Sequence, residues 1–349
     1  MRSRVITTRY YTMRGTMAME GTTQLAPSSN VQAGTVASAP DLPRIDRIRT
    51  AVIIFNPTAG RRRHLRMEHL QEAQRVLKQA GVDAELAPTH GPGSATEQAR
   101  TAAAHNIDLV IASGGDGTIN EVVNGLAHSR VPLFILPAGT ANVLAKELNL
   151  PWDVREAARF LTGSTLRRIA LGAAVSDQDP QALRYFISLA GAGTDGMMVY
   201  SVNPALKRLS GQLAYWATGA VLPFRYRFPY LQVRSDESDA QGSLVVIGRT
   251  RHYGGPAMIT SEADLFEDSF EIGVFEVGFW GGMRLLPAVM RGTLHGKRGV
   301  RFWKTQRVRC EPLSSEPIYA QVDGEGIGRL PVEFRIVPNA LTLVVPGGR

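Results

Sequence analysis

The hydrophobic positions of the first half of the chain change their spacing at regular intervals. Short apolar runs alternate with stretches in which apolar residues recur every three or four positions. The runs predict buried strands and lie at residues 51–55, 84–87, 109–112 and 133–136. The stretches predict helices and lie at residues 65–79, 94–104, 119–127 and 141–148. Repeated strand–helix alternation favours a parallel sheet with helices on both faces.

From about residue 166 the pattern changes, because strand-like runs now follow one another. They lie at residues 168–171, 185–190, 230–234, 244–249, 270–277, 308–310, 318–322 and 332–337. One helical stretch, at about 204–220, interrupts them. Successive strands of this kind predict an antiparallel β-sandwich. We therefore expect an α/β domain over residues 49–165 and a sandwich over 166–337. Residues 1–48 are rich in Ser, Thr, Ala, Gly and Pro without an apolar period, which predicts disorder.

The composition adds constraints on partners and on cellular compartment. The 349 residues carry a net charge of +8 with a pI near 9.9, which favours nucleotide, nucleic acid or an anionic membrane as partner. The one cysteine, Cys310, is incompatible with an intrachain disulfide or a cysteine metal cluster and fits a reducing cytoplasm. No apolar run approaches the ~20 residues that a membrane span needs.

The stretch "VIASGGDGTINEVVNGL", residues 110–126, is the most informative turn in the chain. Gly114, Gly115 and Gly117 join a predicted strand to a predicted helix, and three glycines exceed what a tight turn requires. Such a turn presents backbone N–H groups and a helix N-terminus to an anion, most often phosphate. Asp116, within the turn, would repel phosphate unless a cation lay between them. The pattern therefore indicates a phosphate site with Mg²⁺ and phosphoryl transfer.

Two further loops follow predicted strands and should reach the same edge of the sheet. "FNPTAGRRR" places Asn56 and a run of arginines after the first strand, and "LPAGTANVLAKEL" places Gly139 and Thr140 after the fourth. Asn and Thr side chains fix turns or bind ligands. Neither loop matches the P-loop or the dinucleotide-binding pattern.

Taken in order, "FNPTAG", "SGGDGTINEVVNGL" and "LPAGTANVLAKELNLP" resemble the diacylglycerol kinase catalytic domain family, which includes bacterial lipid kinases and sphingosine kinases. The resemblance extends from about residue 49 to the C-terminus. It implies phosphotransfer from ATP to a lipid, with the nucleotide in a cleft between an α/β domain and a β-sandwich. It also implies that the final segment, residues 338–349, returns to the first domain.

The resemblance implies a set of site residues in this sequence. The ATP contacts map to Asn56, Thr89, Gly114, Gly115, Asp116, Gly117, Thr118, Ile119, Asn120 and Thr140. In "AQVDGEGIG", Glu325 matches the family's proton acceptor, and Asp323 is the companion acid. From the residues alone, a hairpin with two solvated acids is the alternative. With Asp116 on the metal, we expect Asp116, Asp323 and Glu325 to be catalytic.

Two other segments match the family less completely. "SEADLFEDSFEIGVF" resembles a structural Mg²⁺ site built from the carboxylate of Asp268 and the carbonyls of Leu265 and Phe270, but Ser269 stands where glycine is usual. "GAGTDGMMV" places Asp195 in a glycine-rich turn, which either lines the substrate cleft or is structural. We expect Asn142 in the same cleft. The histidines show no metal-ligand spacing.

The segment from Arg291 to Arg309 holds seven basic residues, no acid, and the aromatic residues Phe302 and Trp303. Such a surface suits anionic lipid. Single-stranded nucleic acid, or no ligand at all, are the alternatives. We expect a cytoplasmic protein that binds membranes peripherally and no nucleic-acid partner; the sequence makes no prediction of oligomeric state.

The sequence thus predicts a Mg²⁺-dependent lipid kinase that uses ATP, with diacylglycerol as the acceptor. One alternative is an enzyme like the NAD kinases, which share the Gly-Gly-Asp-Gly-Thr turn but should have a different loop in place of "GTANVLAKEL". The other is a nucleotide- or lipid-sensing protein without turnover.

Overall fold

The computed structural model describes residues 44–59, 66–201, 229–254, 257–276 and 278–347. The role of the arginine run at 61–63 and the helix at 204–220 lie outside the described residues. So does the disorder predicted over residues 1–48, except for residues 44–48. The described chain begins with a 3-10 helix, Ile45–Arg47, directly before the first strand.

The first half of the chain forms an α/β lobe. Its strands are β1 (Thr50–Phe55), β2 (Asp83–Pro88), β3 (Leu109–Gly114) and β4 (Leu133–Pro137). Its helices are α1 (Arg66–Gln79), α2 (Ser94–Ala104), α3 (Asp116–Leu126), α4 (Val143–Glu147) and α5 (Val154–Arg159). The strands are parallel in the order β2-β1-β3-β4.

Alternation along β1 shows why helices cover both faces of this sheet. Ile53 points into the core with Leu70 of α1 and Ala157 of α5, whereas Ile54 points into the core with Ala99 of α2 and Val122 of α3. Successive strand side chains face opposite sides, so consecutive buried isoleucines require two apolar layers. The predicted fold class of this half is confirmed.

The second half forms a β-sandwich with short helices. Its strands are β5 (Ser164–Ser176), β6 (Asp179–Phe186), β7 (Leu189–Gly193), β8 (Leu231–Ser235), β9 (Asp239–Gly242), β10 (Leu244–Gly248), β11 (His252–Gly254), β12 (Ala257–Met258), β13 (Phe270–Phe275), β14 (Val300–Thr305), β15 (Arg307–Pro312), β16 (Tyr319–Val322), β17 (Glu325–Arg329) and β18 (Val332–Pro346). The helices are α6 (Thr194–Ser201) and α7 (Phe279–Arg291).

Two antiparallel layers enclose the sandwich core. One layer is the six-stranded sheet β14-β13-β10-β7-β16-β17, and the other contains β5, β6, β18, β15, β8 and β9. Phe186, Phe270 and Phe334 meet between the layers with ring centroids 5.7 and 6.3 Å apart. The antiparallel sandwich is therefore confirmed.

The long strand β18 belongs to both halves of the molecule. Residues 332–337 pair with the second half of β5 inside the sandwich, and residues 341–346 pair with the first half of β5. Leu343 also lies beside Leu133 of β4, in parallel register. The final strand thus extends the parallel sheet of the α/β lobe, and continuous strands join the two halves.

Two sequence predictions differ from the observed elements. The run at 185–190 is not one strand, because the chain leaves β6 at Phe186 and enters β7 at Leu189. The helix α7 was not predicted, since Gly281, Gly282 and Pro287 break the expected pattern. Its buried face nevertheless packs on Phe275 and Val300 of the sandwich.

Candidate active site

Four loops meet at the carboxyl edge of the parallel sheet. The N–H of Asn56, after β1, donates to the carbonyl of Ser113 on β3 at 3.1 Å. The N–H of Thr89, after β2, donates to the carbonyl of Phe55 at 2.8 Å. Asn56 Oδ1 accepts from both the N–H and the hydroxyl of Thr58, which fixes the first loop as a tight turn. This edge is where open parallel sheets bind ligands.

The loop after β3 and the loop after β4 are in direct contact. A methyl group placed on Gly139 would lie 2.6 Å from the Cα of Gly115, so only glycine allows this approach. The buried side chain of Asn142 joins the loops further: Nδ2 donates to Gly114 O at 2.9 Å, and Oδ1 accepts from the N–H groups of Ala138 and Gly139. The expectation that Asn142 lines a substrate cleft is therefore replaced by a structural role.

Asp116 is anchored to the same junction. Its Oδ2 accepts from Asn142 N at 3.1 Å and its Oδ1 from Val143 N at 2.7 Å. Burial raises the pKa of this carboxyl above its ordinary value, while these N–H donors and Lys146 oppose the shift. A carboxylate has about four acceptor positions, so the anchored group retains acceptor positions for a hydrated cation.

The proposed base lies against the glycine turn from the other half of the molecule. A methyl group placed on Gly117 would be 3.6 Å from Oε1 of Glu325, the first residue of β17. The structure therefore brings together two motifs that lie in different halves of the sequence.

Two of the residues predicted to contact ATP point into the protein instead. The Ile119 side chain is buried in the core beneath α3, and its N–H donates to the Gly115 carbonyl within the helix. Asn120 is also buried, and its Nδ2 donates to Tyr185 O and to Asp323. We therefore expect both residues to hold neighbouring parts of the site in place and not to contact ATP. Thr140 remains exposed at the site.

Asp323 is held by four donors from two parts of the chain. Its oxygens accept from Asn120 Nδ2 at 2.7 Å and from the N–H groups of Ile187, Ser188 and Leu189 at 2.9–3.0 Å. Burial raises its pKa to about 6 against these donors. With its oxygens so engaged, Asp323 positions the turn that carries Glu325, in place of the direct catalytic role expected from the sequence.

Asp195 supports the turn that carries Glu325 through hydrogen bonds of Gln321. Its carboxylate is buried and accepts from the hydroxyl of Tyr253 and from Gln321 Nε2, the latter at 2.6 Å. Gln321 Oε1 in turn accepts from Gly324 N at 2.8 Å. Burial raises the pKa of Asp195. Of the two alternatives for this acid, the contacts favour the structural one.

The sequence analysis missed Arg66, the first residue of α1. Its side chain is only 7% exposed and donates to the carbonyls of Ala59, in the first loop, and Ala138, before the third. Its Nη1 is buried and has no hydrogen-bond partner among the described residues. The signal was an arginine on the apolar stripe of the helix, at the same spacing as Leu70, Ala73 and Leu77.

The expected structural Mg²⁺ site contains a cation that the chain itself supplies. The fully buried guanidinium of Arg249 donates to the carbonyls of Leu265 at 2.7 Å, Glu267 at 2.6 Å, Ser269 at 3.1 Å and Ala170 at 2.9 Å. One of the predicted metal ligands, the carbonyl of Leu265, is therefore already engaged.

The positive charge of Arg249 opposes binding of a metal ion at this position. Burial lowers the pKa of Arg249 to about 10, with Asp268 among the acids that oppose the shift, so the group stays protonated near neutral pH. A divalent cation beside a buried guanidinium would be repelled. The metal site at Leu265, Asp268 and Phe270 stays a prediction, and these contacts of Arg249 argue against it.

A second group of candidate metal ligands lies in the six-stranded sheet and its loops. Ligand atoms of Glu262, Glu271 and His295 fall within 4.8 Å of one another. His295 Nε2 is 2.7 Å from the buried Glu271 carboxylate, so a close contact between the imidazole and the carboxylate already occupies much of this space. The cluster combines distant positions, which is why spacing along the sequence did not reveal it.

The basic segment 291–309 differs from the predicted membrane surface. Phe302 stacks on His295 with centroids 4.2 Å apart, and Trp303 Nε1 donates to Ser235 Oγ at 3.0 Å. Both aromatic residues are therefore packed into the fold and are not free to anchor in lipid. Three of the seven cations, Lys304, Arg307 and Arg309, form ion pairs.

Comparison with known proteins identifies the class to which this fold and site belong. Residues 50–174 match the diacylglycerol kinase catalytic domain, and residues 188–345 match the YegS C-terminal NAD kinase beta sandwich-like domain. The chain belongs to the diacylglycerol kinase family.

Individual relatives match over nearly their whole length. A diacylglycerol kinase of Bacillus subtilis is 32% identical over 305 residues, covering 86% of this chain and 97% of the relative. One from Staphylococcus saprophyticus is 29% identical, covering 85% and 95%. The crystal structure of a diacylglycerol kinase from Bacillus anthracis superposes with a TM-score of 0.63 at 20% identity, covering 86% and 97%. Within the described residues, no helix is long and apolar enough to cross a membrane.

Proposed function

We propose that this protein is an ATP-dependent lipid kinase that transfers the γ-phosphoryl group to the hydroxyl of diacylglycerol. The observation that carries the proposal is the approach of Glu325 to Gly117, with Oε1 3.6 Å from the position of an added methyl group. This contact supports a base that acts beside a phosphate-binding turn. Family membership supports the same activity.

In this proposal the nucleotide phosphates lie along the carboxyl edge of the parallel sheet. The turn Gly114–Gly117, with Thr118 behind it, supplies backbone N–H groups at the N-terminus of α3. Asn56, Thr89 and Thr140 border the same edge. Arg66 supplies the positive charge, because a buried guanidinium whose Nη1 has no partner among the described residues is stabilised by an anionic ligand.

The divalent ion of the nucleotide fits Asp116. This carboxylate is oriented by two backbone donors and keeps free acceptor positions, which suits Mg²⁺ held through one carboxylate and water. When bound, Mg²⁺ neutralises charge on the phosphates. Asp116 orients that ion and keeps the second and third loops together.

Glu325 then accepts the proton of the lipid hydroxyl. The hydroxyl oxygen forms a bond to the γ-phosphorus, the bond from phosphorus to the bridging oxygen of ADP breaks, and the proton passes to the Glu325 carboxylate. A positioned base contributes about 10²–10⁴-fold. Asp323 and Asn120 hold the base in place, because their hydrogen bond joins its turn to α3.

The acceptor of such an enzyme resides in a bilayer, so we propose peripheral and reversible contact with an anionic membrane. The basic side chains of the segment after α7 support this contact. The family match supports the lipid kinase over the NAD kinase alternative and over a sensor without turnover.

Radiolabelled ATP with lipids presented in vesicles tests the proposal. We expect label in phosphatidic acid when diacylglycerol is supplied, and none in NADP when NAD is supplied. Glu325→Gln should lower kcat by about 10²-fold or more with little change in ATP affinity, whereas Glu316→Gln, at an exposed loop, should match wild type. Normal turnover by Glu325→Gln would exclude this base. Label only in NADP, or no ATP consumption with any lipid, would overturn the proposal.

A further inference from the structure

The helix α7 carries an apolar stripe on its exposed face. Met283, Leu286 and Met290 are 48%, 36% and 39% exposed. At 100° per residue they lie within about 60° of one another on the helix surface. Leu285, Ala288 and Val289 occupy the opposite face and pack on the sandwich. The helix is therefore apolar on both sides, although one side suffices to attach it to the fold.

The helix and the segment that follows it carry positive charge and no acid. Residues 277–310 hold eight Lys or Arg and no Asp or Glu. Arg284 and Arg291 border the stripe on the helix, and Lys297 and Arg298 are exposed in the turn that follows. Among the ion pairs of the described residues, these four cations take no part, in contrast to Lys304, Arg307 and Arg309.

We propose that the exposed face of α7, together with Arg284, Arg291, Lys297 and Arg298, is the surface that docks on an anionic lipid bilayer. Exposed apolar patches mark interaction surfaces, and helices with an apolar face and flanking cations lie in the membrane interface. Charge complementarity selects the occupant: a helix and turn whose charged side chains are all cations suit anionic headgroups, whereas a second copy would bring the same charges together.

The inference rests on the proposed lipid kinase function and specifies where that enzyme meets its substrate. It also moves the membrane contact from the strand that holds Phe302 and Trp303 to the preceding helix. Methionine and leucine side chains enter the apolar side of the interface while the arginines and lysines remain at headgroup level.

Vesicle sedimentation without ATP tests the surface independently of catalysis. Wild type should bind vesicles of phosphatidylcholine with 30% phosphatidylglycerol and lose binding as salt shortens the Debye length. The triple change Met283→Gln, Leu286→Gln and Met290→Gln should weaken binding at least tenfold. Lys297→Glu with Arg298→Glu should also weaken it by at least tenfold, since each basic residue contributes about fivefold near an anionic surface.

Matched controls test whether the loss of vesicle binding depends on where the changed residues lie and not only on the type of residue that is changed. Leu313→Gln replaces an apolar side chain that is 48% exposed outside α7. Arg75→Glu with Arg159→Glu reverses two exposed charges on the α/β lobe. Both controls should bind vesicles like wild type. Phosphorylation of a short-chain diacylglycerol in solution should be equal in all variants, whereas phosphorylation of diacylglycerol in vesicles should fall only with the α7 changes.

Three outcomes would overturn the inference. They are equal vesicle binding by the α7 variants and wild type, equal loss of binding in the controls, and a wild-type dimer in sedimentation velocity that the triple change dissociates. The last outcome would assign the face to a second copy of the chain. Absence of phosphorylation of either diacylglycerol would contradict the proposed function, while vesicle binding would still report on the surface.

Discussion

Gly139→Ala should separate the two loops that form the phosphate edge. The new methyl carbon would lie 2.6 Å from the Cα of Gly115 and 3.1 Å from Asn142 Oδ1. Nonbonded carbons rest at about 3.5–4.0 Å, so the loops must move apart by roughly 1 Å. Backbone of a neighbouring loop cannot rotate away as a flexible side chain does.

The loss of stability of Gly139→Ala can be estimated from the contacts that this movement disrupts. Overpacking costs about 1–3 kcal/mol. Weakening the hydrogen bonds of Asn142 to Ala138 and Gly139 adds about 1 kcal/mol each. The total of about 3–5 kcal/mol corresponds to a fall in Tm of roughly 7–12 °C. Because Asp116 is anchored to the same loop, the KM for ATP should rise at least tenfold.

Gly115→Ala is the matched control, because its methyl carbon would lie 4.0 Å from the Cα of Gly139, an ordinary contact. Gly115 has extended backbone that alanine adopts, so its Tm should stay within about 2 °C of wild type. Thermal melts and ATP kinetics of both variants provide the comparison. Equal melting of Gly139→Ala and wild type, or equal destabilisation by the two changes, would refute the assigned contact.

Three further predictions concern charged groups. Arg66→Ala should raise the KM for ATP at least tenfold with a smaller change in kcat, and Arg66→Lys should recover part of the lost ATP affinity. Arg75→Ala, on the exposed face of α1, is the control. A KM of Arg66→Ala no higher than that of the control would contradict phosphate binding. Burial raises the pKa of Asp323 to about 6, so the folded chain keeps a proton that the unfolded chain releases near pH 3.9, and the contribution of this group to stability falls as pH rises from about 4 to about 6. The difference in unfolding free energy between wild type and Asp323→Asn, from denaturant titrations, should change across that window; a constant difference would be evidence against the shift. Arg249→Met should destabilise the fold by about 3–5 kcal/mol, whereas the exposed Arg307→Met should have little effect. EDTA should leave the wild-type Tm unchanged. A fall in Tm with EDTA that Asp268→Asn abolishes would instead support the structural metal site.

The sequence predicted the elements whose pattern is local. The helix at 94–104 and the strands of the parallel sheet follow from periodicity, because each buries a face that its own residues define. Helix α7 was missed since its glycines and proline oppose helix by propensity, and tertiary packing on Phe275 and Val300 overrides that preference.

Only part of the site could be predicted, because many of its contacts join segments that are distant in the sequence. The motifs identified Asp116 and Glu325, but the partners of each carboxylate come from distant segments. The three backbone donors to Asp323 lie more than a hundred residues away along the chain. Arg249 reaches carbonyls on two separate segments, so no spacing rule reveals its contacts at the predicted metal site. Contacts of this kind depend on topology, which residue type alone does not encode.

The strand β18 has a consequence for how the chain folds during synthesis. The parallel sheet needs β18 as the neighbour of β4, yet a ribosome makes β18 only after every other strand of the sandwich. Until then β4 presents an open edge, which is the feature that leads nascent chains to pair with one another. The α/β lobe therefore cannot complete its sheet in the order in which it is translated. Chaperone demand and susceptibility to proteases should be highest just before β18 emerges.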